Sequence, residues 1–237
     1  MSETTRIALV TGASRGIGRA AAVALAKEGA HVLCLARTQG ALEELDDEIT
    51  RAGGQCSLIP ADLTDGEMVA RLPGALAERF GRLDALVLNA GTLGELAPVA
   101  DTDGKVLSNA LTLNVTANWS LLAGLDPLLD AAPAARVVGV TSSRARKSVA
   151  FWSVYAASKA AFEQLVLTYA AEKETGTVKA NLLDPGPVAT RMREKAMPGE
   201  DQSTITQPAE IGALIAEMAS ETWSETGGLV RFRDRAA

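Results

Sequence analysis

In the stretch SVYAASKAAFEQL, Ser153–Leu165, a phenol and an amine stand four residues apart in a segment otherwise rich in alanine. A free tyrosine, with a pKa of about 10, exchanges its proton too reluctantly to serve near neutral pH. A lysine one helical turn further on shares its face and stabilises the phenolate, so the Tyr155–Lys159 pair reads as a proton-transfer device. Upstream, VTSSRARK places Ser142 and Ser143 at the end of an apolar run. A hydroxyl there can donate to a substrate oxygen as negative charge grows on it. The chemistry these groups suit is proton exchange with a carbonyl or alcohol oxygen, the hydride coming from a bound nicotinamide rather than from the protein. The plainer alternative is a half-buried tyrosine beside a snorkelling lysine. It does not explain why both open an alanine-built helix.

A second motif supplies the place for a nicotinamide. TGASRGIG, Thr11–Gly18, follows the first apolar run and opens the first helix. Gly12, Gly16 and Gly18 give a tight turn, close backbone approach and close packing of helix on sheet, leaving helix amides free for a pyrophosphate. The next strand ends in LCLAR. Ala36 occupies the place where an acid would accept bonds from both ribose hydroxyls of NAD, and Arg37 follows it. Removing that charge and adding a guanidinium favours NADP(H) over NAD(H), with Arg15 able to reach the same 2′-phosphate from the turn. The rival reading leaves Arg37 facing solvent.

The elements that must position these residues alternate. Apolar runs at 7–10, 31–36, 57–60, 85–88, 136–141, 178–183 and 229–232 read as strands. Periodic segments at 17–28, 41–51, 65–80, 103–129, 154–174 and 208–219 read as helices, with Pro73 an irregularity and Pro127 near a helix end. Right-handed crossovers of this length imply an α/β fold, a Rossmann-like doubly wound three-layer sandwich on a parallel sheet of about seven strands. One domain over residues 1–237 is expected, and 187–207, rich in Pro, Gly, Thr and charge, reads as a substrate lid.

Hydrophobic residues make up 47% of the chain and charged residues 22%, a globular composition, and the net charge of -6 argues against nucleic-acid or anionic-membrane partners. MSETTRIALV does not read as a signal peptide and no apolar run is long enough for a membrane span, so a cytoplasmic protein is expected. Cys34 and Cys56 read as structural thiols and His31 as a structural residue. No spacing of His, Cys and acids suggests a metal, and Trp119, Trp152 and Trp223 are too scattered to stack bases. Trp152 could line a substrate cleft, and Met192 and Met197 an adaptable apolar wall, although Met192 suits core packing equally well.

The glycine turn, Asn89–Gly91, Asn114, the Ser142–Ser143 pair, Tyr155 with Lys159, and Pro185–Gly186 occur together in this order. The set resembles the short-chain dehydrogenase/reductase family in its classical form, from Arg6 to about Gly228. VTSS…YAASK is also similar to the FTSS…YAASK of an uncharacterised bacterial oxidoreductase branch. The resemblance implies Tyr155 as acid/base, Lys159 as holder of the nicotinamide ribose, and Asn114 as the residue that kinks its helix and anchors a relay water. It implies a cofactor site at Gly12, Ser14, Arg15, Gly16, Ile17 and Gly18, continuing through Arg37, Asp62 and Leu63, with Asp62 at the adenine. Asn89, Ala90 and Gly91 would border the cofactor, and Pro185, Gly186, Val188 and Thr190 would pass the nicotinamide.

For the serine, the family's usual gap of thirteen residues points to Ser142, whereas strand direction points to Ser143, which is the expectation adopted. Arg144, Arg146 and Lys147 depart from the family pattern. They form either a solvated loop face or a contact for a carboxylate, phosphate or thioester-bearing substrate. The resemblance implies a small carbonyl or alcohol substrate, with a 3-oxoacyl thioester as the alternative. A non-catalytic NADP(H)-binding regulatory protein is the alternative from another class. It also implies a homodimer or homotetramer built on helices 105–129 and 154–174, although the ending TGGLVRFRDRAA lacks the glycine-rich tail of many relatives.

Overall fold

The computed structural model describes residues 5–235. The apolar runs become seven strands: β1 (Ile7–Thr11), β2 (His31–Ala36), β3 (Gln55–Pro60), β4 (Ala85–Leu88), β5 (Arg136–Val140), β6 (Lys179–Asp184) and β7 (Leu229–Arg231). They form one sheet in the order β3-β2-β1-β4-β5-β6-β7, with every neighbouring pair parallel. The order grows outward from β1 on one side and from β4 on the other. A crevice opens above the carboxyl ends of the strands where the order reverses.

Eight α-helices accompany the sheet: α1 (Gly16–Lys27), α2 (Gln39–Arg51), α3 (Gly66–Phe80), α4 (Gly104–Leu111), α5 (Ala117–Asp130), α6 (Ser153–Glu172), α7 (Arg191–Ala196) and α8 (Pro208–Met218). Side chains alternate between the two faces of each strand, so each strand feeds two cores. Ala8, Val10, Val32 and Cys34 pack under α1, α2 and α8. Leu9, Leu33, Leu86 and Val137 pack under α3, α5 and α6. Gly212 lets α8 lie directly on α1, since a Cβ there would come within 2.6 Å of the Ala20 backbone. The result is the doubly wound α/β sandwich that the alternation of runs implies.

Three differences from the sequence reading have physical causes. The helix expected over 103–129 is interrupted by a π-helical turn, Thr112–Thr116, between α4 and α5. α5 continues through Pro127 to Asp130, its last turn held by the buried Leu128 and Leu129. α3 likewise runs through Pro73, whose ring packs where Gly124 of α5 has no side chain; a Cβ there would lie 2.6 Å from it.

The strand starts are closed by buried charge. Asp84 accepts from Ile7 N at 2.8 Å and from Arg82 Nε at 3.1 Å. Arg136 donates to the carbonyls of Ala135 at 2.9 Å and Glu221 at 2.7 Å, and Arg6 reaches Ala219 O and the Glu221 carboxylate. Cys34 is buried, and Cys56 donates to Asp46 at 3.0 Å; the neighbouring Cys56 thiol, together with burial, pushes the Cys34 thiol up. His31 bonds Ser57 at 2.9 Å. No helix is long and apolar enough to cross a membrane among the described residues.

Candidate active site

The carboxyl ends of the strands surround a cleft of about 1160 Å³ that contains nearly every residue singled out above. At its floor Gly12 and Gly16 adopt left-handed backbone, φ 66 and 55, which a side chain would strain. A Cβ on Gly12 would sit 3.0 Å from Asn89 Nδ2, and one on Gly18 only 2.3 Å from Gly12 O. The turn is thus closed against the strand β4 side. Thr11 Oγ1 accepts from the amides of both Asn89 and Ala90 at 3.0 Å, and Asn89 Nδ2 donates to Thr11 O at 2.9 Å. α1 opens without a side-chain cap and without an acid in its first turn, so its leading amides face the cleft unopposed. This cradle of bare backbone and free amides fits a dinucleotide pyrophosphate.

One end of the cleft is lined by Ser14, Arg15, Ile17, Ala36, Arg37, Asp62 and Leu63. Arg37 stands 3.7 Å from Asp62 and is mostly exposed. Asp62 also accepts from Thr64 N at 2.9 Å and Thr64 Oγ1 at 2.8 Å. The Thr64 amide, with the Thr64 hydroxyl and Arg37 assisting against desolvation, holds its carboxyl below the usual range. Arg15 reaches no carboxylate among the described residues, whereas Arg19 is committed to Glu48 at 2.8 Å.

At the other end stand Tyr155, Lys159, Ser142, Ser143, Pro185 and Gly186. Burial pushes the Tyr155 phenol up to about 12; the Ser142 hydroxyl and the nearby Arg144 pull the other way, and Asp184 adds to the rise. Lys159 is buried, donates to Val140 O at 2.8 Å and lies 6.0 Å from the Tyr155 ring centre. Burial pushes its ammonium down to about 8, opposed by Glu163 one turn later.

Both serines line the cleft, and they differ in setting. β5 stops at Val140, so strand alternation does not extend to the pair. Ser142 is extended (φ -159, ψ 150) and half-buried near the phenol, while Ser143 begins a short 3-10 turn and is exposed. Two other expected site residues stand behind the cleft wall instead of lining it. Gly18 is buried under Gly12, and Asn114 sits in the π-helical turn. The Asn114 side chain accepts from Thr92 N at 2.8 Å and donates to Thr92 O and Ser158 Oγ, both at 2.9 Å. Its amide therefore pins the loop after β4 to the helix carrying Tyr155 and Lys159.

The family model for short chain dehydrogenase matches residues 6–201, from the glycine turn through α7. The chain belongs to the short-chain dehydrogenase family. It is 35% identical over 226 residues to the uncharacterized oxidoreductase YciK of Escherichia coli K12, covering 94% of this chain and 89% of YciK. A short-chain dehydrogenase of Shigella flexneri 2a, solved in complex with NADP, superposes with a TM-score of 0.92 at 34% identity, covering 96% of this chain and 97% of that one. One from Escherichia coli CFT073, complexed with NADPH, gives 0.90 at 34% identity, covering 96% of both chains.

This short-chain dehydrogenase also holds site residues that the sequence did not reveal. Arg146, from the basic loop, pairs with Glu163 of α6 and, at 2.8 Å, with Asp184 at the end of β6. Glu163 in turn accepts from Thr141 Oγ1 at 2.6 Å, and Asp184 from Gly186 N at 3.2 Å. The segment read as a lid contains the short helix α7, capped by Thr190, and a bridge between Val188 and Thr206. Thr190, Met192 and Ala196 from it face the cleft.

Proposed function

We propose that this oxidoreductase interconverts a small carbonyl compound and its alcohol with NADP(H) in preference to NAD(H). The observation that carries the reading is one continuous cleft with Ala36 and Arg37 at one end and Tyr155, Ser142 and Lys159 at the other. When bound there, NADPH supplies the hydride that reaches the carbonyl carbon. The protein's own residues do the rest. Ser142 donates a hydrogen bond to the substrate oxygen, and Tyr155 gives that oxygen its proton. Lys159, held by Val140 O, places a positive charge beside the resulting phenolate. Gly12, Gly16 and the start of α1 take the pyrophosphate. Asn89, Ala90, Gly91, Pro185, Gly186, Val188 and Thr190 wall the nicotinamide half, and the segment 187–207 covers the substrate.

The cofactor preference is tested by titrating NADPH and NADH side by side into the wild type and Arg37→Ala. Arg37→Ala is expected to weaken NADPH by about tenfold, a charge-assisted contact discounted for the exposure of the guanidinium, and to leave NADH nearly unchanged. Equal weakening of both overturns the role given to Arg37.

A homodimer or homotetramer completes the reading. Trp119 on α5 is 57% exposed, and α6 presents Ala157, Ala160 and Ala161 on its outer face. A flat small-residue surface beside an uncovered tryptophan suits a second copy of the same helices. Sedimentation is expected to give a dimer or larger species for the wild type and a smaller one for Trp119→Glu; a wild-type monomer removes this part of the proposal.

A further inference from the structure

The substrate end of the cleft is unlike the cofactor end in charge. Its acidic lining residues, Glu44 and Asp62, both belong to the cofactor end. Away from that end the cleft is lined, besides Lys159, by Arg144, from the loop after β5, and by Arg191, Arg193 and Lys195 of α7, of which Arg193 is paired with Glu200. Arg144 is half-buried, and its guanidinium makes no ion pair among the described residues, although Arg146 two positions on is bound to two carboxylates. Desolvating a guanidinium without an anionic partner costs stability, so a fold that keeps one at its active site points to a partner that arrives with the substrate.

The guanidinium is not free to wander. It lies 4.7 Å over the ring of Trp152, and that ring meets Tyr155 edge-on with centroids 5.9 Å apart. A cation on an aromatic face keeps its N–H edges free to form a fork with two oxygens. The loop below is fixed as well. Phe151 is the one non-glycine residue with positive φ among the described residues, at 72, and its carbonyl accepts from Ala97 N at 3.1 Å. Such strain persists only where the surroundings impose it. From α7, Lys195 Nζ donates to Gly94 O at 3.4 Å, a weak tether that leaves its charge at the cleft. Leu93, Trp152 and Ala196 cluster with Tyr155, and with Met192 they line the same cleft, apolar surface for the body of a substrate.

We infer that Arg144, supported by Lys195, forms a subsite for an anionic oxygen group, a carboxylate or phosphate, on the carbonyl substrate. The inference rests on the oxidoreductase reading above and narrows it to carbonyl compounds that carry a negative group separated from the reacting carbonyl by an apolar spacer. Arg144 acts as a specificity residue; the proton still passes through Tyr155.

The test uses the full-length protein with NADP+, which allows aldehyde binding without reduction. Calorimetric titration compares 4-carboxybenzaldehyde, 4-formylphenyl phosphate and the neutral methyl 4-formylbenzoate against wild type, Arg144→Gln, Arg144→Lys and Lys195→Gln. At least one anionic aldehyde is expected to bind the wild type about tenfold more tightly than the ester. That ratio should collapse toward one in Arg144→Gln, shrink less in Lys195→Gln and be partly restored in Arg144→Lys. The better of the two anions identifies the group the subsite takes. Equal or undetectable binding of all three aldehydes, or a ratio that survives Arg144→Gln, overturns the inference. Reduction of the three aldehydes by NADPH, followed in parallel, separates this from the parent reading. An anion preference without turnover would sink the reductase assignment and leave the subsite; turnover without the preference would do the reverse.

Discussion

Tyr155→Phe is expected to lower turnover of any accepted carbonyl compound by about 10³-fold, the scale of a lost general acid, while NADPH affinity stays within about twofold. Only the phenolic oxygen is removed, and the ring keeps its place in the apolar cluster with Leu93 and Ala196. Burial, with Asp184 adding to it, drives the phenol up to about 12, and Ser142 and Arg144 are the groups that oppose this. The site therefore favours a neutral phenol that can give its proton to an oxygen bearing developing charge. The loss should appear in kcat, since the hydroxyl matters most after the oxygen starts to become an alkoxide. Single-turnover measurements with NADPH would show it directly. Residual activity above about a tenth of wild type would remove Tyr155 from the proton step.

The second large effect concerns stability. Arg146→Ala should cost about 3 kcal/mol, because it leaves the buried carboxylates of Glu163 and Asp184 with no cation. For a chain of this size that corresponds to a fall in Tm of roughly 6–12 °C. One guanidinium joins three elements that each carry part of the site. These are the loop with Ser142, the helix with Tyr155 and Lys159, and the strand that leads into Pro185–Gly186. A purely structural role would leave the folded fraction fully active. A positioning role lowers kcat about tenfold at temperatures where the variant is folded, with NADPH affinity retained, because Ser142 loses its fixed distance from the phenol. Arg146→Lys should recover part of the stability and less of kcat, since an ammonium cannot fork between two carboxylates. A Tm within about 2 °C of wild type would show that the pairs contribute little.

The strands were legible because a doubly covered parallel strand has to be apolar on both faces, and β2 and β4 fall where the runs HVLCLA and ALVL stand. The π-helical turn at Thr112–Thr116 was not legible in the hydrophobic pattern; only the resemblance, with Asn114 as the residue that kinks its helix, pointed to it. One added residue per turn barely disturbs a helical pattern, and only the Asn114 contacts across the fold show why it is there. α7 has six residues, five of them charged or thioether, too few to reveal a periodicity. The choice between Ser142 and Ser143 was not legible from strand alternation, because β5 ends at Val140, before the pair. The Arg146 clamp could not be read at all, since its partners lie 17 and 38 positions away and look like ordinary surface acids in the sequence. Local pattern reports which face a residue takes; it does not report which distant carboxylate waits there.

The two ends of the sheet have different histories open to them. At the strand starts, Arg6, Asp84 and Arg136 are locked to backbone groups of neighbouring segments, so a change there is felt by the whole fold. At the strand ends the loops bearing Leu93, Arg144, Trp152, Met192 and Lys195 contribute side chains that the core does not need. Random variation is therefore filtered unevenly. A substitution at the start end costs the whole fold, whereas one at the finish end can reshape the cleft while the cofactor cradle and the proton-transfer pair stay in place.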